Sequence, residues 1–149
     1  MIKFQPKKEP RIPVTREGYE KLLADKAKFL AQRPEAVDHL REARNMGDLS
    51  ENGYYKASRQ QLSFLDSRIR RVERLIRLAK IIEPTRVKLT DGTREYEYTV
   101  VGGFESDPTK KYISPASPLG RALAGKKSGD IVEVHTPSGI KTYTVLSIG

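Results

Sequence analysis

Apolar side chains recur along the first half of the chain at helical intervals. Leu62, Leu65, Ile69, Val72, Ile76 and Ala79 alternate steps of three and four, the spacing of a seam between two long helices. Upstream, Tyr19, Leu23, Leu30, Val37 and Leu40 trace a second stripe, with Leu22 and Phe29 beside it. Between them lies Met46-Gly47-Asp48-Leu49-Ser50, a glycine-containing polar turn short enough to make the helices antiparallel neighbours. Thr15 suits an N-cap for the first helix. Pro34 removes a backbone donor inside it and predicts a kink or local break. The second helix is expected to end near Ile81–Glu83, because Pro84 disfavours helix at the residue before it. Helices of about 30 residues, rising ~1.5 Å each, make a rod roughly 45 Å long whose narrow seam is no globular core.

After Pro84 the pattern shortens to runs rich in β-branched and aromatic residues. Strands are expected over Arg86–Leu89, Glu95–Val101, Ile131–His135 and Lys141–Ile148, with turns at Asp91-Gly92 and Pro137-Ser138-Gly139. A short helix is expected over Pro118–Ala124, closed by Gly125. The fold class is α+β. A basic tail at 1–14, for which disorder is the expectation, precedes a helical pair over 15–82 with its acidic tip at 47–52, and a small β-rich domain over 83–149.

Composition narrows the function. At 149 residues with no cysteine, the chain has no disulfide, thiolate metal site or cysteine nucleophile. No apolar run approaches the ~18 residues of a membrane span, and the first residues are polar and Pro-rich, so a cytoplasmic protein without a membrane role is expected. The net charge is +9, and more than half of that excess falls in Glu51–Lys80, where eight basic residues face three acidic ones. Such a stripe attracts polyanions, although a charged helix face also arises simply from solvation. His39 and His135 are far apart in sequence and suggest no paired site. Gly120–Lys127 nearly matches a phosphate-binding loop. However, Lys127 replaces the Ser or Thr that would meet Mg²⁺ and no buried strand precedes it, so a helix and turn are expected there.

The apex of the hairpin holds the candidate chemistry. Asp48 and Glu51 stand three apart, and a helix beginning there would turn both carboxylates to one side. Two hard oxygen ligands without His or Cys suit Mg²⁺, but they are too few for a complete octahedral site. The remaining ligands would come from water, phosphate or another protein. The same spacing is a variant of the capping box, and from the tetrapeptide both readings stand. The position of the acids, at the end of a rod with a basic returning arm, favours chemistry.

Gly47-Asp48-Leu49-Ser50-Glu51-Asn52, followed by Tyr55 and Arg59, resembles the tip of the bacterial transcript-cleavage factors of the GreA/GreB family. Val14–Leu22 and the basic second helix are similar to GreB somewhat more than to GreA. Lys111–Ser114, Ser117–Leu123 and Gly129-Asp130 resemble the family's carboxyl-terminal domain. The resemblance implies an antiparallel coiled coil joined to an FKBP-like domain that docks at the rim of the secondary channel of RNA polymerase. The tip acids, Asp48 and Glu51, would then help hold a catalytic Mg²⁺ shared with the polymerase and activate water against backtracked RNA, no metal being bound by the free protein. Arg44, Tyr55 and Arg59 match positions associated with RNA or active-centre contacts. For Tyr55, packing across the tip is an equal alternative. Ser117, Pro118 and Leu119 fall in the docking surface and equally describe a capped helix entry.

The protein is thus expected to be a monomeric accessory factor, not an enzyme, that partners RNA polymerase and nascent RNA and binds other nucleic acid, including DNA, weakly. Two competing readings are a channel-binding regulator that blocks the polymerase without cleavage, and a basic coiled-coil nucleic-acid binder with a merely structural tip. The link from Glu83 to Arg86 is roughly a dozen residues shorter than the family's, so an altered sheet edge or fewer strands are expected.

Overall fold

A computed structural model describes residues 7–49 and 51–149; residues 1–6 of the basic tail and Ser50 of the tip lie outside the described residues. The order of elements is β1 (Ile12–Thr15), α1 (Arg16–Arg44), α2 (Gly53–Leu78), β2 (Ala79–Ile82), β3 (Thr85–Thr90), β4 (Glu95–Val100), a 3₁₀ turn (Pro108–Lys110), β5 (Tyr112–Ile113), α3 (Pro118–Leu123), β6 (Ile131–Thr136) and β7 (Gly139–Ile148). The fold is α+β, helical first and sheet-forming afterwards. Two compact units divide the chain: Glu20–Leu78, and the residues up to Tyr19 together with Ala79–Gly149.

In the helical unit, α1 and α2 share a core of Ala36, Leu65 and Ile69, with Phe29 and Leu62 packed against it. Lys26 pairs with Glu73 at 3.8 Å, and Arg33 Nε donates to Asp66 Oδ1 at 2.8 Å. As one partner advances from 26 to 33 the other retreats from 73 to 66, so these contacts run in opposite senses along the two helices. The hydrogen bond from Arg33 holds the Asp66 carboxyl below its ordinary range. The apolar stripe expected on α2 is the buried one: Leu65, Ile69 and Val72 are buried, and Leu62 and Ile76 are half-buried.

On α1 the stripe is displaced. The buried apolar side chains are those of Leu22, Ala36 and Ala43, while Leu23 and Leu30 are 45% and 44% exposed. Leu22, Phe29, Ala36 and Ala43 repeat every seven residues, and two alanines carry too little apolar weight to reveal that row beside larger neighbours. The first helix is also not broken at Pro34, which lies inside α1. Leu30, whose carbonyl loses its helical donor to the proline ring, is exposed together with Pro34.

Thr15 caps α1, its Oγ1 accepting from Gly18 N at 3.1 Å. Two features differ from the sequence pattern around it. Ile12–Thr15 form a strand, paired in parallel with Ala79–Ile82 from Ile12 opposite Ala79 to Thr15 opposite Ile82. The second helix accordingly ends at Leu78, earlier than Pro84 alone would require, because the next four residues pair with β1. Val14, fully buried, anchors the pair.

The sheet of the second unit has the order β5-β4-β3-β7-β6. Antiparallel pairs join β3 to β4, β3 to β7 and β6 to β7, and a short parallel pair joins β4 to β5. Alternation fills one face: Val87, Leu89, Val132 and Val145 point into a core closed by Leu123 of α3, with Tyr98, Val100, Ile113, Leu119, Ala122 and Tyr143 packed around it. The register slips between Lys88 and Leu89, a bulge in the β3–β7 pair. Beyond it Arg86 and Gly149 exchange backbone hydrogen bonds at 3.2 and 3.0 Å, carrying the ladder to the last residue.

Glu105 fastens β1 and the first turn of α1 to the loop after β4. Its carboxylate accepts from Thr15 N and Gly102 N, each at 2.9 Å, and from Thr15 Oγ1. Gly102 is buried where no side chain fits, because an added Cβ would stand 2.5 Å from the Pro13 carbonyl oxygen and 2.9 Å from Val14 Cα. Among the described residues no helix is long and apolar enough to cross a membrane.

Candidate functional site: the turn between the two long helices

The first helix closes with Arg41 and Arg44 in its last turn, cations that complement the partial negative charge there. Asn45 N donates to the carbonyls of Arg41 and Glu42 at 3.3 and 3.1 Å, and Met46 N to that of Ala43 at 3.2 Å. Gly47 then takes φ +113°, a conformation open to glycine at little cost, and the chain turns.

Where α2 starts decides what the acids do. Its first residue is Gly53, and its cap is Asn52: Asn52 Oδ1 accepts from Tyr55 N at 3.0 Å, and the Asn52 carbonyl accepts from Lys56 N at 3.1 Å. Asp48 and Glu51 both precede the helix, in the turn. The condition that would set both carboxylates on one helical face, a helix starting at Asp48, is therefore not met. The later start equally removes the capping-box alternative, since the capping position belongs to Asn52. The cause is local competition: Asn and Asp are comparable N-caps, and the Gly-Tyr-Tyr that follows Asn52 continues directly into the buried positions Ser58 and Leu65.

Asn52 does more than cap. Its Nδ2 donates to the Ala43 carbonyl in the last turn of α1 at 2.9 Å. One half-buried side chain thus ties the end of α1 to the start of α2, and the segment bearing Asp48 and Glu51 is the loop between the two ties. Asp48, Leu49 and Glu51 are exposed, as is Met46 at 67%. In the sequence, Asn52 stands out only as part of the Gly47–Asn52 motif. The available signal was an N-cap residue followed by glycine and a helical run.

The other expected contact residues come from both units. Arg44 is exposed at the end of α1, and Arg59 is exposed on α2; Tyr55 is half-buried in the first turn of α2, and Tyr54 is exposed. In the sheet-bearing unit, Ser117 caps α3, its Oγ accepting from Gly120 N at 3.0 Å and donating to the Ser114 carbonyl at 2.7 Å. Leu119 packs on the core, while Pro118 is exposed. His39 lies 3.9 Å from Glu35 one turn earlier, and His135 is exposed on β6. Gly120–Lys127 forms the end of α3 and a turn rather than a phosphate cradle at a strand–helix junction. Among the described residues no three or more His, Cys, Asp or Glu side chains gather as a metal site. The tip's donor set of two carboxylates does not fit a resident octahedral ion.

Two family models together cover residues 12–149: the N-terminal domain of transcription elongation factors matches residues 12–81, and the GreA/GreB C-terminal domain matches residues 80–149. The chain belongs to the GreA/GreB family of transcription elongation factors. A GreA of Paracoccus denitrificans is 40% identical over 151 residues, covering 93% of this chain and 97% of that protein. A GreA of Lactococcus lactis is 37% identical over 154 residues, with 94% and 99% covered. A crystal structure of GreA factor homolog 1 (Gfh1) of Thermus thermophilus is 27% identical, covers 93% of this chain and 99% of that one, and has a TM-score of 0.45. The family models and the GreA relatives carry membership of the GreA/GreB family as a whole, without assigning this chain to one of its two named branches.

Proposed function

We propose that this GreA/GreB-family chain is a cytoplasmic, monomeric accessory factor that enters the secondary channel of RNA polymerase and stimulates the polymerase's own Mg²⁺-dependent cleavage of backtracked RNA. In this reading the helical unit is the family's antiparallel coiled coil, and the sheet-bearing unit is its FKBP-like domain, docking through the surface around Ser117, Pro118 and Leu119. The supporting observation is that Asp48 and Glu51 lie in an exposed turn and leave the capping of α2 to Asn52. Two carboxylates incomplete as a site of their own suit a centre whose other ligands belong to the polymerase. There the ion would polarise the attacking water and stabilise the leaving oxygen. The chain's part is to present oxygen ligands and to accept a proton from water. Arg44 and Arg59, with Tyr55, would contact the RNA or the active centre, and the basic residues of α2 would offset repulsion in an acidic, RNA-filled passage. The same stripe supports weak, salt-sensitive binding to naked nucleic acid, including DNA. Together with Val14–Leu22, it supports a likeness to GreB somewhat more than to GreA.

The test is a halted, backtracked elongation complex incubated with Mg²⁺ and the protein, beside its Asp48→Asn/Glu51→Gln variant. The parent should yield shortened RNA that can be re-extended, and the variant should bind comparably yet cleave on the order of 100-fold more slowly. No shortening with either protein would sink the proposal. Arrested extension would then point to a blocker, and binding to naked RNA that needs no polymerase would point to a simple nucleic-acid binder.

A further inference from the structure

We propose that Asn52 is the positioning residue of the tip, the group that holds the turn carrying Asp48 and Glu51 in a single geometry by tying together the two helix ends. The inference rests on the cleavage reading above for its functional consequence, though not for the tie itself.

The argument is one of donors and acceptors. A neutral carboxamide can give and receive at once, and Asn52 does both: Nδ2 to the Ala43 carbonyl at 2.9 Å, Oδ1 from the Tyr55 amide at 3.0 Å. The amide orientation follows from this pair, because reversing it would set oxygen against carbonyl and nitrogen against N–H. The Ala43 carbonyl belongs to the last turn of α1, where it accepts from Met46 N at 3.2 Å and offers its second lone pair to Asn52, and the Tyr55 amide belongs to the first turn of α2, where amides lack helical acceptors. Ala43 is wholly buried and Asn52 half-buried, so water competes poorly for the first bond. The loop between these anchors contains Gly47 at positive φ and exposed Met46 and Leu49, with no apolar core of its own among the described residues. The bond from Asn52 to Ala43 closes this loop across its two ends. Carboxylates meant for a metal shared with another protein tolerate misplacement badly; an error of about 1 Å can cost on the order of 100-fold in rate.

Asn52→Ser and Asn52→Asp separate the two bonds. Serine still caps α2 but is too short to reach Ala43. Aspartate caps as well as asparagine but has no proton to give the carbonyl. Both variants should keep their helicity by far-ultraviolet dichroism. Exchange of the Asn45 and Met46 amides, followed by NMR on the free protein, should quicken several-fold while the Tyr55 amide stays protected. With backtracked complexes at saturating factor, the maximal cleavage rate should fall roughly 10-fold or more and the Mg²⁺ needed for half-maximal rate should rise, while the half-saturating factor concentration changes less than about threefold.

A merely structural asparagine would show the opposite split: weaker binding and a lower melting temperature, with the maximal rate restored at saturation. That split, or parental cleavage by Asn52→Asp, overturns the inference. If the parent itself fails to cleave, it is the functional proposal that falls. The amide exchange of Asn45 and Met46 still decides the tie, acceleration supporting it and unchanged exchange refuting it.

Discussion

Replacing Gly102 by alanine should unfold the sheet-bearing unit well below the parent's temperature, and the structure gives the size of the effect. The new methyl would sit 2.5 Å from the Pro13 carbonyl oxygen and 2.9 Å from Val14 Cα, roughly 0.5–0.9 Å inside ordinary contact, and both obstacles are backbone. It would also run into Glu105 Oε2, so the carboxylate that accepts from Thr15 and from Gly102 itself must leave. Overpacking costs about 1–3 kcal/mol, and the loss of hydrogen bonds to a charged acceptor about 1.5–3 kcal/mol, for a total near 3–5 kcal/mol. At about 4–8 °C per kcal/mol for a unit of this size, the transition should fall by at least roughly 12 °C. Near-ultraviolet dichroism reads the right unit, because Tyr96 stacks on Tyr98 at 6.5 Å and meets Tyr143 edge-on at 5.9 Å. Glu105→Ala should give part of the loss, and the double variant should be less damaged than the sum of the two, since the methyl then has room on one side. A Gly102→Ala protein melting within about 2 °C of the parent would refute the packing argument.

Two further perturbations probe the rest of the molecule. Ile69→Ala, in the core shared by α1 and α2, should cost about 2–4 kcal/mol and lower the helical transition followed at 222 nm; a loss under about 1 kcal/mol would contradict its burial. Asp107 is held below the usual carboxylate range by hydrogen bonds from the Thr109 hydroxyl and amide. Its contribution is therefore complete above the ordinary aspartate value of about 3.9 and is lost as pH falls through the lower folded value. Thr109 amide shifts should titrate there, and Asp107→Asn should abolish that titration.

What the sequence revealed and concealed follows from the physics of each element. The strands β3 and β6 were legible because one buried face imposes alternation, as at Val87 and Leu89 or Val132 and Val134, and β4 and β7 through their β-branched and aromatic runs between turn residues. The parallel pieces β1, β2 and β5, four, four and two residues long, carry no such period and exist because a partner strand lies beside them. The stripe on α2 was legible through its large side chains. The stripe on α1 was misread by one position because Ala36 and Ala43 hold the buried row while Leu23 and Leu30 face water. At the tip the acids were visible as acids. The start of α2 was not, since Asp48 and Asn52 are both competent caps and only the packing of the following helix selects between them. The link from Glu105 to Thr15 had no local signal, because the two lie 90 residues apart.

The identity of the capping residue bears on why the turn has the composition it has. For α2 alone an aspartate at 52 would serve better than asparagine, since its charge would add about 0.3–1 kcal/mol against the positive end of the helix. It would forfeit the bond to the Ala43 carbonyl, which needs a donor, and would bring a third negative charge beside Asp48 and Glu51. A serine or threonine would cap without that charge and still fall short of Ala43. Of the four good caps, asparagine alone fastens both helix ends and leaves the turn's negative charge confined to two side chains. Local helix stability would not select that combination. A turn whose shape and charge must be delivered together would.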